Sequence, residues 1–235
     1  MQPTKRLLRR LNGVIDRVWA VVVARVGDGA KSRLSPVLEP EERTWLARAM
    51  LADVLGVCLD SRDVLDGTLA VVDQKARDVA ARFATTLLDD PSRGDMNAAV
   101  RAGVGTAQAR GATSVLVLPG DIPSISVADV RHIVGVAGMA PRAVVVAASR
   151  DGQGTNALLL RPPHVIAPSF GPPSVRRHLE AGYAAGARTR LIENLGLARD
   201  VDTPPDLAGL LDARVGAHTA AALARLAPAR GPAFI

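Results

Sequence analysis

Short runs of Val, Leu and Ala with almost no polar position inside them recur along this chain. Each gives way to a turn carrying Gly, Asp or both, and most are followed by a segment of helical spacing. Trp19 to Val26 (WAVVVARV), Thr113 to Asp121 (TSVLVLPGD) and Arg142 to Ser149 (RAVVVAAS) are the clearest. A strand with apolar side chains on both faces must be covered on both, so such runs belong in a parallel sheet between helices. Between about Glu41 and Leu59, Leu46, Met50, Val54 and Val57 recur at helical spacing behind Pro40 and two acidic residues, the start a helix favours. GTLAVVD (67–73), a helical stretch from Lys75 to Phe83, TTLLDD (85–90) and a helix from about Asn97 to Arg110, which Asn97 is placed to cap, extend the alternation. A helix starting near Val127, the strand at 142–149, the loop DGQGTN (151–156) and the run ALLLRP (157–162) continue it. The expectation is an α/β fold: one doubly wound, mostly parallel sheet with helices on both faces.

No repeat with a period of 20 to 50 residues and no long linker divides the 235 residues. A single domain is expected over 19–211. A basic N-terminal extension (1–18) precedes it, and an Ala-rich C-terminal helix and tail (212–235) follow it. The net charge of +6 does not by itself call for an anionic polymer. Lys5, Arg6, Arg9, Arg10 and Arg17 against Asp16 put +4 of it into the first 18 residues, which read as a solvated arm or short amphipathic helix. Aromatic residues are 3% of the chain, too few for base-stacking platforms, so no nucleic-acid partner is expected. The N-terminus lacks a secretory pattern and no long apolar run suits a bilayer, so a cytoplasmic protein without a membrane partner is expected. Cys58 is the only cysteine, which excludes an intrachain disulfide or a multi-thiolate metal site and reads as a core residue. The four histidines (132, 164, 178 and 218) lack zinc-ligand spacing, and no G-x-S-x-G elbow occurs.

In doubly wound sheets, ligands bind outside the carboxyl ends of the strands. Those ends carry VGDGAKSRL, DDPSRGDMN, LPGDIP, SRDGQGTN and DVDTP, nearly every concentration of Gly, Asp, Lys and Arg in the chain. This coincidence points to an enzyme. In the first loop, Gly27 and Gly29 let backbone N–H groups approach an oxyanion, and Lys31 and Arg33 can neutralise phosphate charge. A P-loop is excluded because Arg25 and Ala30 stand where its glycines are required. Asp121 and the pair Asp200 and Asp202 lie in separate loops, and Asp121 and Asp202 could share one Mg²⁺ beside a nucleoside triphosphate. Thr203 is placed to cap a following helix with Pro204 at its first position. Turn-making remains open for each Asp alone, as does a plain glycine turn for the first loop.

AKSRL (30–34), LPGDIP (118–123), DGQGTNALLLRPP (151–163), FGPPS (170–174) and DVDTPPDL (200–207), in that order, resemble the guanylyltransferases of coenzyme F420 biosynthesis over roughly residues 19–211. That family lies among nucleotidyltransferases of glycosyltransferase-A-like fold. The resemblance implies GMP transfer from GTP to the phosphate of a small three-carbon acid: 2-phospho-L-lactate, phosphoenolpyruvate or 3-phospho-D-glycerate. It implies catalytic roles for Lys31, Arg33 and Asp121, and nucleotide contacts from Gly27, Gly29, Lys31, Arg33 and Asn97. Thr155, Gly171 and Ser174 would meet the acceptor, and Asp121 and Asp202 would hold Mg²⁺. For Thr155 a strand-starting turn, and for 171–174 a Pro-stiffened surface loop, remain alternatives. The chain departs from the family's usual pattern at Arg25, where Lys is usual, and at Asp95-Met96-Asn97, where Gly-Leu-Asn is usual. Ala- and Arg-rich composition suggests a bacterial source, which mildly disfavours phospholactate. Other readings are a molybdopterin-type cytidylyl- or guanylyltransferase, which would carry a longer glycine-rich first loop, and a non-enzymatic nucleotide-binding protein. Monomer and homodimer both stay open.

Overall fold

The valine-rich run after Arg17 becomes a central strand. The protein is described by a computed structural model that covers residues 10–11, 14–27, 29–83, 86–92 and 94–226. A two-residue ladder of β1 (Arg10–Leu11) and β2 (Val14–Ile15) leads into β3 (Val18–Ala24), α1 (Pro40–Asp60), β4 (Gly67–Val72), α2 (Arg77–Ala81), β5 (Thr86–Asp89) and α3 (Met96–Ala109). Then come β6 (Ser114–Pro119), α4 (Val127–Ala137), β7 (Ala143–Ala148), β8 (Thr155–Arg161), α5 (Ser174–Ala184), β9 (Arg188–Ile192), α6 (Leu195–Ala198), α7 (Pro204–Gly209) and α8 (Ala217–Leu226).

The main sheet has seven strands in the order β5-β4-β3-β6-β8-β7-β9. Its neighbours are parallel except around β8, which runs against both β6 and β7. The expected mostly parallel sheet is therefore present, with one reversed strand. The connection from β7 to β8 is too short for the dozen or more residues a parallel crossover needs, so β8 returns as a hairpin. From β3 the chain builds outward through β4 and β5, then crosses back to place β6 on the other side. The ends of β3 and β6 thus flank a topological switch point, where such sheets open a crevice.

Alternation along β3 shows how both faces are closed. Val18, Ala20 and Val22 join a core with Leu51 and Leu55 of α1 and with Val130 and Ile133 of α4. Val21 and Val23 face the other way, onto Val100 and Val104 of α3. Cys58 is buried in the first core, as expected. A third, smaller core unites Leu34 and Leu38 after the first loop, Leu46 and Met50 of α1, Val201, Leu207 and Leu210, and Leu223 and Leu226 of α8. No helix among the described residues is long and apolar enough to cross a membrane.

Some local details differ from the sequence expectations. Asp95, not Asn97, caps α3: its carboxylate accepts the Asn97 N–H at 2.9 Å. A carboxylate two residues earlier reaches the first free amides, whereas Asn97 already lies inside the first turn. Residues 16–18, assigned to a solvated extension, belong to the body. Asp16 is 5% exposed and accepts from the Ser114 hydroxyl at 2.7 Å and from Arg161 Nη2 at 2.5 Å. Residues 1–9, 12 and 13 of that extension lie outside the described residues. The Ala-rich helix forms, as α8, and Asp53 of α1 accepts the His218 and Thr219 N–H groups at its start; the tail 227–235 lies outside the described residues.

Candidate active site

The first loop leaves β3 and turns back at once, with the Ala30 N–H on the Gly27 carbonyl and Gly29 at φ +83°. Lys31 follows in the left-handed region, φ 53°, and is the one non-glycine residue among those described with positive φ. A side chain held in that region is strained unless its surroundings over-determine it. Here they do. Its ammonium donates to Asp121 Oδ2 in a very short contact and to Asp202 Oδ1 at 2.8 Å. Leu34, packed on Val201 and Leu207 in the third core, joins this loop to the segment that carries Asp202.

Asp121 arrives from β6 through Gly120. A Cβ at Gly120 would stand 2.5 Å from the Ala24 Cβ at the end of β3, so only glycine lets the two strand ends approach this closely. Asp202 precedes α7, whose start is closed as expected: Asp206 accepts the Thr203 N–H at 2.9 Å with Pro204 in the first turn. The sequence thus brings Lys31, Asp121 and Asp202 together across 90 and 171 residues of chain. Arg33 reaches the same cluster from its mouth, 4.0 Å from Asp202 Oδ2 and three-quarters exposed.

The cluster is electrostatically coupled. Burial by itself would lower the Lys31 pKa, but Asp121 and Asp202 outweigh it and hold the ammonium above the ordinary lysine range. Burial works against ionisation of Asp202, yet Lys31 and Arg33 hold its carboxyl below the usual carboxylate range. Asp200, half of the pair noticed in the sequence but not assigned a role, also belongs here. Its pKa is raised by burial and by repulsion from Asp121 and Asp202, against the hydrogen bond it accepts from Asn156 at 3.0 Å. The cluster opens into a cleft of about 370 Å³ at the switch point, bordered by Arg25, Lys31, Gly94, Met96, Asp121 and Asp202.

Other expected nucleotide contacts are placed differently. The Gly27 N–H is engaged by Asp73 Oδ2 at 2.8 Å, so it supports the loop instead of pointing free. Asn97 grips the backbone of Phe170, accepting its N–H at 2.6 Å and donating to its carbonyl at 3.1 Å. Its visible work is to tie the 169–174 loop to α3. Arg177 fastens the same loop, with Nε on the Ser169 hydroxyl at 2.9 Å and Nη2 on the carbonyls of Ser169 and Gly171. Gly171 takes φ +91°, which a larger residue would resist.

Thr155 and Ser174 meet beneath that loop, 6% and 0% exposed, with their hydroxyls 3.0 Å apart. Thr155 Oγ1 is also 3.1 Å from His178 Nδ1, and His178 Nε2 accepts the Ser169 N–H at 2.9 Å. Burial, then the neighbouring Arg177 charge, push the His178 pKa down to about 4 from its ordinary 6.5. The folded protein therefore refuses a proton that the unfolded chain accepts. The stability tied to neutral His178 is intact above pH 6.5 and is lost as pH falls toward 4. Denaturant titrations at pH 7 and pH 5 should show a larger acid loss for the wild type than for His178→Gln; equal losses would contradict this.

The family described as "Guanylyl transferase CofC like" matches residues 19–227. A phosphoenolpyruvate guanylyltransferase of Conexibacter woesei is 38% identical over 192 residues, covering 82% of this chain and 86% of that protein. A 2-phospho-L-lactate guanylyltransferase of Methanothermobacter thermautotrophicus is 32% identical, covering 86% and 89%. Among solved structures, a nucleotidyl transferase from Methanothermobacter superposes with a TM-score of 0.61 at 20% identity, covering 83% of this chain and 96% of that one.

Proposed function

From the premise that the chain belongs to the CofC-like guanylyl transferase family, we propose that it transfers GMP from GTP to the phosphate of a three-carbon phosphorylated carboxylate in coenzyme F420 biosynthesis, releasing pyrophosphate. The observation that carries this reading is the Lys31, Asp121 and Asp202 cluster at the switch-point cleft.

An all-oxygen pair of carboxylates suits a hard divalent ion such as Mg²⁺. Asp121 Oδ1 is buried and has no hydrogen-bond partner, a position a cation would satisfy. No group of three or more potential protein ligands converges among the described residues, so nucleotide and water oxygens would complete the shell of an ion held by Asp121 and Asp202. Such an ion neutralises charge building on the phosphates as the bond to the leaving group breaks.

The remaining work falls to the chain itself. An oxygen of the acceptor phosphate attacks the α-phosphorus, the bond to the bridging oxygen breaks, and pyrophosphate carries away the electron pair. No enzyme nucleophile is needed, and Cys58 offers none, being buried with its thiol pushed up to about 12. Lys31, fixed on two sides by carboxylates, presents its charge where the triphosphate enters. Arg33, largely in solvent, can fold onto the outer phosphates. Thr155, Gly171 and Ser174 would receive the acceptor, and the Asn97 and Arg177 contacts hold that loop in place for it. Positioning of this kind can supply on the order of 7 kcal/mol or more of a transfer barrier.

The name of the bacterial relative supports phosphoenolpyruvate as the acceptor. The test is incubation with GTP, Mg²⁺ and phosphoenolpyruvate, 3-phospho-D-glycerate or 2-phospho-L-lactate in turn, following pyrophosphate release and product mass. Release with one acid, dependent on GTP over CTP, is the expected result. Silence with all three would remove the proposal and favour a molybdopterin-type substrate.

A further inference from the structure

His178, Thr155 and Ser174 form a linear chain of hydrogen bonds whose proton count comes out odd. The Ser169 N–H points at His178 Nε2, so that nitrogen is an acceptor and the neutral imidazole carries its proton on Nδ1. Nδ1–H then donates to Thr155 Oγ1 at 3.1 Å. Thr155 and Ser174 share one further bond at 3.0 Å. Three hydrogens, on the imidazole and the two hydroxyls, therefore serve two internal bonds, and these groups have no other partner among the described residues. Whichever way the Thr155 and Ser174 link runs, one hydroxyl hydrogen is left over. Had the histidine carried its proton on Nε2, Thr155 would have had to donate inward to Nδ1, and the surplus donor would vanish.

We propose that His178 is a positioning residue that locks the Thr155 and Ser174 hydroxyl pair as a hydrogen-bond donor to an anionic oxygen, phosphate or carboxylate, of the acceptor acid. This rests on the proposed function for its substrate and adds to it the group that sets the polarity of the acceptor subsite. The histidine itself touches no substrate: both of its ring nitrogens are taken, Nδ1 by Thr155 and Nε2 by the Ser169 N–H, and its ring lies edge-on to Phe170 with centroids 5.2 Å apart. Its low pKa keeps the imidazole neutral at physiological pH, so the Ser169 contact is retained.

Two measurements decide the matter. In wild-type protein at pH 7, histidine side-chain ¹⁵N spectra, assigned by comparison with His178→Gln, should show His178 protonated at Nδ1 and bare at Nε2; the opposite tautomer overturns the proposal. In steady-state kinetics at saturating Mg²⁺ and GTP, His178→Gln should raise KM for the acceptor acid about tenfold to a hundredfold, with KM for GTP within about twofold of wild type. His178→Asn, which can keep an N–H near the Nδ1 position, should recover part of that loss. Because the histidine acts through Thr155, adding His178→Gln to Thr155→Val should cost little more than Thr155→Val alone. An unchanged acceptor KM, or fully additive losses, would overturn the proposal. If His178→Gln fails to fold, selective ¹⁵N labelling with the other three histidines replaced provides the assignment, and the tautomer in folded protein decides alone. Wild-type protein that turns over none of the three acids would instead fail the functional reading, while the spectra still judge the proton arrangement.

Discussion

Asp121→Asn is expected to lower kcat for pyrophosphate release on the order of 10³-fold, the scale of losing one preorganised charge at a site of phosphoryl charge development. The substitution is nearly isosteric, so packing around Gly120 and the end of β6 should survive. What changes is charge. Asp121 Oδ1, buried and unpartnered, loses its capacity to hold a cation, and Lys31 is left with Asp202 as its one anionic partner. Burial then pulls harder on the Lys31 ammonium, because one of the two carboxylates opposing it is gone. Circular dichroism should match the wild type while turnover collapses. A rate within about tenfold of wild type would show that Asp121 is not at the chemistry.

The largest effect on stability is expected far from the cleft, at the other end of β8. Arg161 is 2% exposed and donates to Asp16 Oδ2, to Ser114 Oγ at 2.8 Å, and to the carbonyls of Gly138 and Ala140. Truncating it strands a buried carboxylate and two carbonyls. Arg161→Met should therefore cost about 3–5 kcal/mol in urea unfolding, a large share of the roughly 5–15 kcal/mol that such a domain possesses. The control is Asp16→Asn combined with Arg161→Met. Removing both charges avoids the unpaired group, so the double variant should be more stable than Arg161→Met. If it is less stable, the pair contributes favourably in its own right and the cost does not arise from a stranded charge.

Much of the site was legible because Lys31 and Asp121 sit on loops after strands whose apolar runs are unmistakable. Lys31 and Asp121 could be placed on one rim from strand direction, whereas the DVDTP segment, expected at a strand end, follows the short helix α6 instead, and Asp202 reaches that rim through its contact with Lys31 Nζ. What escaped was long-range bonding. Nothing near Gly27 announces that Asp73, 46 residues on, takes its N–H, and nothing near Asn97 points to the Phe170 backbone. His178 in RRHLE looks like a helix-surface residue until α5 packs its inner face. The apolar pattern of the sequence does not single out α5 or β9. β9 is an edge strand whose RTRLI alternates Arg with Thr, Leu and Ile, so it lacks the continuous apolar signature of the buried strands. The reversal of β8 could have been found, since the stretch separating RAVVVAAS from ALLLRP is visibly too brief for a crossover.

The small leucine cluster under the cleft binds together segments that lie far apart in the chain. Leu34 follows the lysine loop, Val201 lies between two of the acidic residues, and Leu223 and Leu226 belong to the last described helix. A polypeptide emerging from the ribosome can complete its sheet with β9, yet it still lacks the wall that shores up the mouth. Part of that wall therefore comes from α8, and a protease that clips off this helix should silence the enzyme while leaving most of its architecture standing.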